Sequence, residues 1–277
     1  MRRFTQVDVF TDELTFGNPV AVVHDADDLT TQDMADFARW TNLSETTFLI
    51  APTDERADYQ LRIFTTQTEL PFAGHPTLGS AHAWLEAGGI AKDPKCLVQQ
   101  CGAGLVRIRR DGTRLAFVAP PLIRGGDVEA EDLAEIMAFL GIDSDVVVDA
   151  QWADNGPGWV ALLLADAETV LALNPKSVDS GRFSAVGVIG PYPAHSEVDF
   201  EVRAFAPEAP QGEDPVTGSL NASLGQWLIS TGRAPSSYVA AQGTAIGRRG
   251  RVYVTQIGND IWIGGDLVTG VTGMMHK

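Results

Sequence analysis

The sequence predicts an α+β fold made of two similar halves, and two patterns lead to this prediction. Residues 62–89 and 203–232 share one order of features: Arg-x-Phe, a polar loop, x-Pro-x-x-Gly-Ser, and a helical segment that ends at Gly. Around both segments, short runs alternate apolar and polar residues, which is the period of a half-buried strand. One shared six-residue motif carries little weight, so the repeated order is the stronger sign of duplication.

Strands are predicted wherever these alternating runs occur. They read QVDVF, PVAVV, YQLRIF and RLAFV in the first half, and DFEVRAF and RVYVT in the second. Upstream of the motif, an amphipathic helix at 31–40 leads to the apolar run TFLIA at 47–51. We match these two segments with a helix at 131–140 and the run WVALLLA at 159–165.

Each half contains one principal helix that is rich in Gly, Ala and Ser. Pro76 and Pro215 each follow a polar residue, and proline favours the first helical position, so His75 or its neighbour and Asp214 are the predicted N-caps. Small side chains allow close packing, and we therefore expect both helices to lie buried inside a curved sheet. Their N-termini would attract anions.

The duplication predicts two domains rather than one large one. We place the first at residues 1–122, with the final segment 267–277 as a candidate completion of it, and the second at 123–266. The stretch VAPPLIRGG at 118–126 would join them.

Charge and composition exclude several classes of protein. The chain has 20 Lys and Arg against 36 Asp and Glu, a net charge of −16, without the basic cluster that nucleic-acid binding needs. Neither GxGxxG nor a P-loop occurs in a suitable context for a nucleotide. The N-terminal segment lacks the apolar core of a signal peptide, and no run approaches the roughly 18 apolar residues of a membrane span, so a cytoplasmic protein is expected.

The two cysteines, Cys96 and Cys101, have no metal-ligating neighbours in the sequence. The sequence allows a disulfide between them, although a reducing compartment favours free thiols. No metal and no cofactor are predicted.

Four segments together resemble the phenazine-biosynthesis PhzF-like family: GNPVAVV (17–23), NLSETTFL (42–49), ELPFAGHPTLGSAHAW (69–84) and GEDPVTGSLNASLG (212–225). The resemblance runs in order over essentially the whole chain. It implies the diaminopimelate epimerase-like fold, two pseudo-symmetric domains that each wrap a barrel-like mixed sheet around a central helix, with the active site in the cleft between them. It also implies a cofactor-independent isomerase or epimerase, and a homodimer.

The resemblance assigns roles to individual residues of this sequence. Glu45 matches the general acid/base of the family, and His75, Asp214 and Ser219 match its supporting polar residues. Further residues of the same motifs are predicted to contact the substrate: Asn18, Ser44, Gly74, Pro76, Thr217 and Gly218.

A single acid/base indicates a proton shift along one face of the substrate. The second half reads NGPGW (155–159) where we match the Glu45 segment, so it offers no second carboxyl group. The related epimerases use two cysteines at the helix entrances, and Cys96 and Cys101 do not lie there. We therefore expect an isomerase of a small carboxylate. An epimerase or racemase of an amino or hydroxy acid and a non-catalytic protein that binds a small anion are the alternatives.

Overall fold

The fold is α+β, as predicted, and consists of two compact units. The structure, a computed structural model, describes residues 1–175, 182–183, 185–207, 209 and 212–276. Unit 1 comprises Met1–Val118 and Gly264–Lys277, and unit 2 comprises Ala119–Ile263.

Unit 1 is a mixed sheet with two helices. Its strands are β1 (Arg2–Val9), β2 (Asn18–Val23), β3 (Glu45–Ile50), β4 (Tyr59–Phe64), β5 (Glu69–Leu70), β6 (Cys96–Cys101), β7 (Gly104–Asp111), β8 (Arg114–Val118) and the C-terminal β17 (Leu267–Met275). The helices are α1 (Thr31–Thr41), between β2 and β3, and α2 (Gly74–Glu86), between β5 and β6. β2 runs parallel to β3, and β4 parallel to β6. β1 pairs antiparallel with both β2 and β17.

Among its described residues, unit 2 repeats this arrangement with one additional α-helix. Its strands are β9 (Arg124–Asp127), β10 (Val147–Asp154), β11 (Trp159–Leu164), β12 (Ala185–Pro191), β13 (Phe200–Phe205), β14 (Ser237–Gln242), β15 (Gly250–Ile257) and β16 (Asp260–Gly265), the last of which begins in this unit. The helices are α3 (Ala130–Leu140), α4 (Ala167–Ala172) and α5 (Gly218–Ser230). β11 runs parallel to β12, and β13 parallel to β14.

The helices α2 and α5 are the buried centres of their units, as their small residues predicted. Every residue from Gly74 to Ala81 is buried, and so are most residues of α5. Close approach explains the glycine at the middle of α2, because a Cβ added to Gly79 would lie 2.3 Å from a methyl carbon of Val20. A sheet strand can therefore pack directly against the helix backbone.

The predicted helix caps are wrong. The N-caps are Ala73 for α2 and Thr217 for α5, and neither makes a side-chain capping bond. Pro76 is the third residue of α2, where a missing N–H costs no intrahelical bond, and Pro215 precedes α5 altogether. By helix position, His75 therefore corresponds to Ser219, the second residue of α5, and not to Asp214.

The predicted match between the upstream helices is wrong as well. In unit 1 the parallel pair β2–β3 encloses α1, whereas in unit 2 the parallel pair β11–β12 encloses α4. The counterpart of α1 is thus the six-residue α4, which is too short to show a helical period in the sequence. The counterpart of β3 is β12, so NGPGW does not occupy the place of Glu45. β12 opens with Ala185, and it too offers no carboxyl group there.

Candidate active site

Unit 1 brings Glu45 and His75 into contact. Glu45 is the first residue of β3, where it pairs with Val20 of β2, and His75 is the second residue of α2. The Oε2 atom of Glu45 lies 3.4 Å from the Nε2 atom of His75, and the two side chains are 15% and 5% exposed. The start of one strand and the start of the buried helix therefore present a carboxyl group and an imidazole to each other.

His75 is neutral in this setting. Burial lowers its pKa to about 3, although a hydrogen bond to the backbone of Pro19 opposes that shift. Nε2 makes no hydrogen bond within the described residues, so the ring N–H that donates to the Pro19 carbonyl is Nδ1–H. Nε2 is then an acceptor that faces the carboxyl group, and the contact with Glu45 is not an ion pair at neutral pH.

The turn before β2 fixes the carbonyl that holds His75. The backbone N–H of Gly17 donates to Oδ2 of Asp8 at 3.2 Å, and a Cβ on Gly17 would lie 2.3 Å from the carbonyl oxygen of Val9. The next residue, Asn18, is fully buried. This close approach of two backbones requires glycine and sets the position of Pro19.

The other predicted contact residues of unit 1 differ in exposure. Gly74 and Pro76 are buried with His75 at the start of α2, and Ser44, which precedes β3, is half-buried. Asn18 and Gly74 thus flank the His75–Pro19 contact, whereas Ser44 lies beside Glu45 in the sequence.

In unit 2, a relay of hydrogen bonds orients Asp214. The Thr217 hydroxyl donates to Oδ2 of Asp214 at 2.5 Å. Gln242 of β14 accepts the backbone N–H of Thr217 through Oε1 at 3.0 Å, and its Nε2 donates to the Thr217 hydroxyl at 2.9 Å. A backbone N–H can only donate, which fixes the orientation of the Gln242 amide. The Thr217 proton is therefore directed at Asp214.

Ser219 has two partners from the turn between β10 and β11. The indole N–H of Trp159 donates to Oγ of Ser219 at 3.0 Å, and Nδ2 of Asn155 donates to the Ser219 carbonyl at 2.9 Å. Gly218, the first residue of α5, is buried beside them.

Sequence reasoning missed Gln242 and Asn155 as hydrogen-bond partners of the candidate site residues. Gln242 lies on β14, which is not among the strands that the alternating runs predicted, and the segment NGPGW, which contains Asn155, was considered for its lack of a carboxyl group. The local sequence pattern does not predict which buried side-chain amide bonds to the N-terminus of a helix. That contact depends on where the strand after the helix packs.

The part of the chain that the structure describes contains no cluster of side chains suited to bind a metal ion. No set of three or more His, Cys, Asp or Glu side chains lies close enough there to hold a metal ion. Cys96 and Cys101 are the first and last residues of β6 and have free thiols, and burial raises the pKa of both. In the described residues, no helix is both long and apolar enough to cross a membrane.

Comparison with known proteins gives one consistent result. The model of the PhzC-PhzF family, described as phenazine biosynthesis-like protein, matches residues 7–272. Antisense-enhancing sequence 1 of Schizosaccharomyces pombe is 36% identical, with 98% of this chain and 97% of that protein covered. Trans-2,3-dihydro-3-hydroxyanthranilate isomerase of Pseudomonas aeruginosa is 34% identical, with 91% and 90% covered. A crystal structure of a PhzF-family phenazine biosynthesis protein from Enterococcus faecalis superposes with a TM-score of 0.81 at 26% identity, covering 100% of this chain and 99% of that one.

Proposed function

The chain belongs to the PhzC-PhzF family of phenazine biosynthesis-like proteins, and on that premise we propose that Glu45 moves a proton between two carbons of a small carboxylate-bearing substrate. The observation that carries the proposal is the contact between Glu45 and a buried, neutral His75. The step neither oxidises nor reduces the substrate, so it requires no redox cofactor, and the proposed proton shuttle uses protein side chains alone.

The proton balance of the step is simple. The Glu45 carboxylate takes a proton from a carbon beside an unsaturated or carboxylate-bearing centre, so a C–H bond breaks and an O–H bond forms. The same group then returns the proton to a second carbon on the same face, and the double bond shifts. Between these steps, the protonated Glu45 carboxyl group can donate a hydrogen bond to Nε2 of His75, and the proton stays on Glu45. Nε2 is able to accept that bond because His75 is neutral.

Negative charge develops on the substrate during the transfer and needs hydrogen-bond donors. The first N–H groups of α2 have no side-chain cap and point out of the N-terminus beside His75. A fixed donor of this kind is worth roughly 2.7–4 kcal/mol in the transition state of comparable reactions. The N–H groups at the start of α2 could thus stabilise the developing negative charge in place of a Lys or Arg side chain.

Asp214 and Ser219 are proposed to bind polar groups of the substrate. Their hydrogen-bond partners in unit 2 hold both side chains in defined orientations. That they meet the same substrate as Glu45 stays a prediction from the family resemblance, and so does the predicted homodimer.

The relative from Pseudomonas aeruginosa supplies the probe for a test. We expect purified protein to convert trans-2,3-dihydro-3-hydroxyanthranilate in deuterated buffer, as followed by NMR. Deuterium should enter at a carbon in those turnovers in which the Glu45 carboxyl group exchanges its proton with solvent between the two steps. Glu45→Gln should lower the rate by at least about 1,000-fold while its circular dichroism stays unchanged. Glu55→Gln, a change of an exposed acid on the surface of the same unit, should leave the rate unaltered.

A folded Glu45→Gln variant with full turnover would refute the role of Glu45. Inversion of a chiral amino or hydroxy acid, without isomerisation of the probe, would instead support the epimerase alternative.

A further inference from the structure

The hydroxyl oxygen of Ser219 accepts a hydrogen bond from a buried tryptophan. Trp159, the first residue of β11, is 3% exposed, and its Nε1 lies 3.0 Å from Oγ of Ser219. The indole N–H carries a proton and no lone pair, so it can only donate. Ser219 must therefore be the acceptor in this contact.

This fixed direction leaves the Ser219 proton for another partner. Within the described residues, the Ser219 hydroxyl makes no hydrogen bond besides the one from Trp159. A hydroxyl carries one donor and two acceptor sites, and the indole occupies one acceptor site. The O–H bond is thus turned away from Trp159 and is able to donate to a group outside the protein.

The turn that carries Trp159 is itself braced. Oδ1 of Asp154 accepts the backbone N–H groups of Gly156 and Gly158, both at 2.7 Å. Gly156 and Gly158 have φ angles of 142° and 85°, which favour glycine. The turn therefore has a defined shape between β10 and β11.

A second contact from this turn reaches the same serine. Nδ2 of Asn155 donates to the Ser219 carbonyl at 2.9 Å. Backbone and side chain of Ser219 are thus each held by a residue of NGPGW, and both contacts lie within unit 2.

We propose that Trp159 is a positioning residue that makes Ser219 a hydrogen-bond donor to an oxygen of the substrate, either its carboxylate or the oxygen on which charge develops. The inference rests on the proposed function for its substrate, whereas the Trp159–Ser219 contact exists without substrate. Trp159 itself does not touch the reacting atoms.

The contact is tested first without any substrate. The protein has six tryptophans, so a spectrum of the ¹⁵N-labelled indole groups is simple, and the Trp159 signal is the one missing in Trp159→Phe. Ser219→Ala should shift that signal, because the indole proton loses its acceptor. Ser230→Ala, at the last residue of the same helix, should leave it in place. An unshifted Trp159 signal in Ser219→Ala would overturn the proposal. If Trp159→Phe failed to fold, the signal is assigned by elimination instead, from single Trp→Phe variants of the other five tryptophans.

The consequence for the reaction is tested by a double-mutant cycle with trans-2,3-dihydro-3-hydroxyanthranilate as the probe. We expect Trp159→Phe and Ser219→Ala each to lower kcat/KM by about tenfold or more, and the double variant to be no worse than Ser219→Ala alone. Trp152→Phe, which removes an indole bonded to Glu129, is the control and should retain the wild-type rate.

Additive losses in the cycle would mean that Trp159 acts on the fold rather than through Ser219, and would overturn the proposal. If the wild type does not convert the probe, the proposed function fails for this substrate, while the spectra still decide whether Trp159 holds Ser219.

Discussion

Thr77 of α2 and Asn221 of α5 occupy the same helix position, and each bonds to a buried glutamine of the strand that follows its helix. Nε2 of Gln99 on β6 donates to Oγ1 of Thr77 at 3.0 Å, and Nδ2 of Asn221 donates to Oε1 of Gln242 on β14 at 2.9 Å. Both glutamines are fully buried. The two units therefore share buried polar contacts as well as strand order. Both contacts involve the fourth residue of the central helix, in agreement with the alignment of His75 with Ser219.

Gln242→Leu should destabilise the protein. It leaves the backbone N–H of Thr217 without its acceptor and removes one of the two acceptors of the Asn221 amide nitrogen, at an expected cost of about 2–4 kcal/mol in the free energy of unfolding. Urea denaturation followed by circular dichroism measures the difference. Gln256→Leu changes an exposed side chain on β15 and should lie within about 0.5 kcal/mol of the wild type. Equal stability of the two variants would show that the Gln242 amide is not needed to hold α5.

Stability should fall as the pH is lowered from about 6.5 towards 4. Burial lowers the pKa of His75 to about 3 and that of His24 to about 4, both from an ordinary value of 6.5. At a pH between the lowered pKa of each histidine and 6.5, the unfolded chain binds more protons than the folded chain. The free energy of unfolding therefore rises with pH across this range. The slope from one such group approaches about 1.4 kcal/mol per pH unit.

The pH effect is checked by urea titrations at several pH values. His75→Gln should show a shallower slope than the wild type, because one of the histidines whose pKa is lowered by burial is gone. His276→Gln, at an exposed position, should keep the wild-type slope. A His75→Gln slope as steep as that of the wild type would mean that the imidazole is not kept neutral by burial.

Gly17→Ala should damage both stability and turnover. The added methyl group would lie 2.3 Å from the carbonyl oxygen of Val9 and 2.7 Å from the Thr11 side chain, so the turn before Asn18 must move. We expect a loss of about 1–3 kcal/mol, as for overpacking elsewhere in protein interiors, and a lower rate because the Pro19 carbonyl no longer holds His75 in place. Thermal and urea unfolding, together with the NMR assay, measure the two effects.

Gly273→Ala is the matched control for this change. Gly273 lies in β17, and a Cβ there meets no atom within 4 Å. It should leave stability and rate nearly unaltered. If both glycine variants behaved alike, the close approach at Gly17 would not be what fixes the turn.

Much of the fold could be predicted because its signals are local. Alternating runs predicted the strands at PVAVV and YQLRIF within a residue or two, and the α+β class and the family are confirmed. The isomerase class agrees with the name of the Pseudomonas aeruginosa relative.

The remaining features depend on contacts between distant residues. The positions of Pro76 and Pro215 predicted the wrong helix starts. At α5, the N-cap is Thr217, and its backbone N–H bonds to the side chain of the distant Gln242. The six-residue α4 escaped notice, and the longer α3 was matched in its place. The family motifs alone singled out Glu45 and His75, since neither residue stands out among its neighbours by periodicity. Their contact was not predicted, because it depends on how the start of β3 meets the start of α2.

The pairing of β1 with β17 has a consequence for how the protein is made. Arg2 of β1 lies opposite Met275 of β17, and β17 is synthesised more than 250 residues after β1, so β1 leaves the ribosome long before this neighbouring strand exists. Unit 2, by contrast, is one continuous stretch from Ala119 to Ile263 and has all its strands and helices before β17 is synthesised. Newly made chains should therefore acquire a protease-resistant second unit first, while the strand that leads to Asn18 and His75 is still missing one of its neighbours.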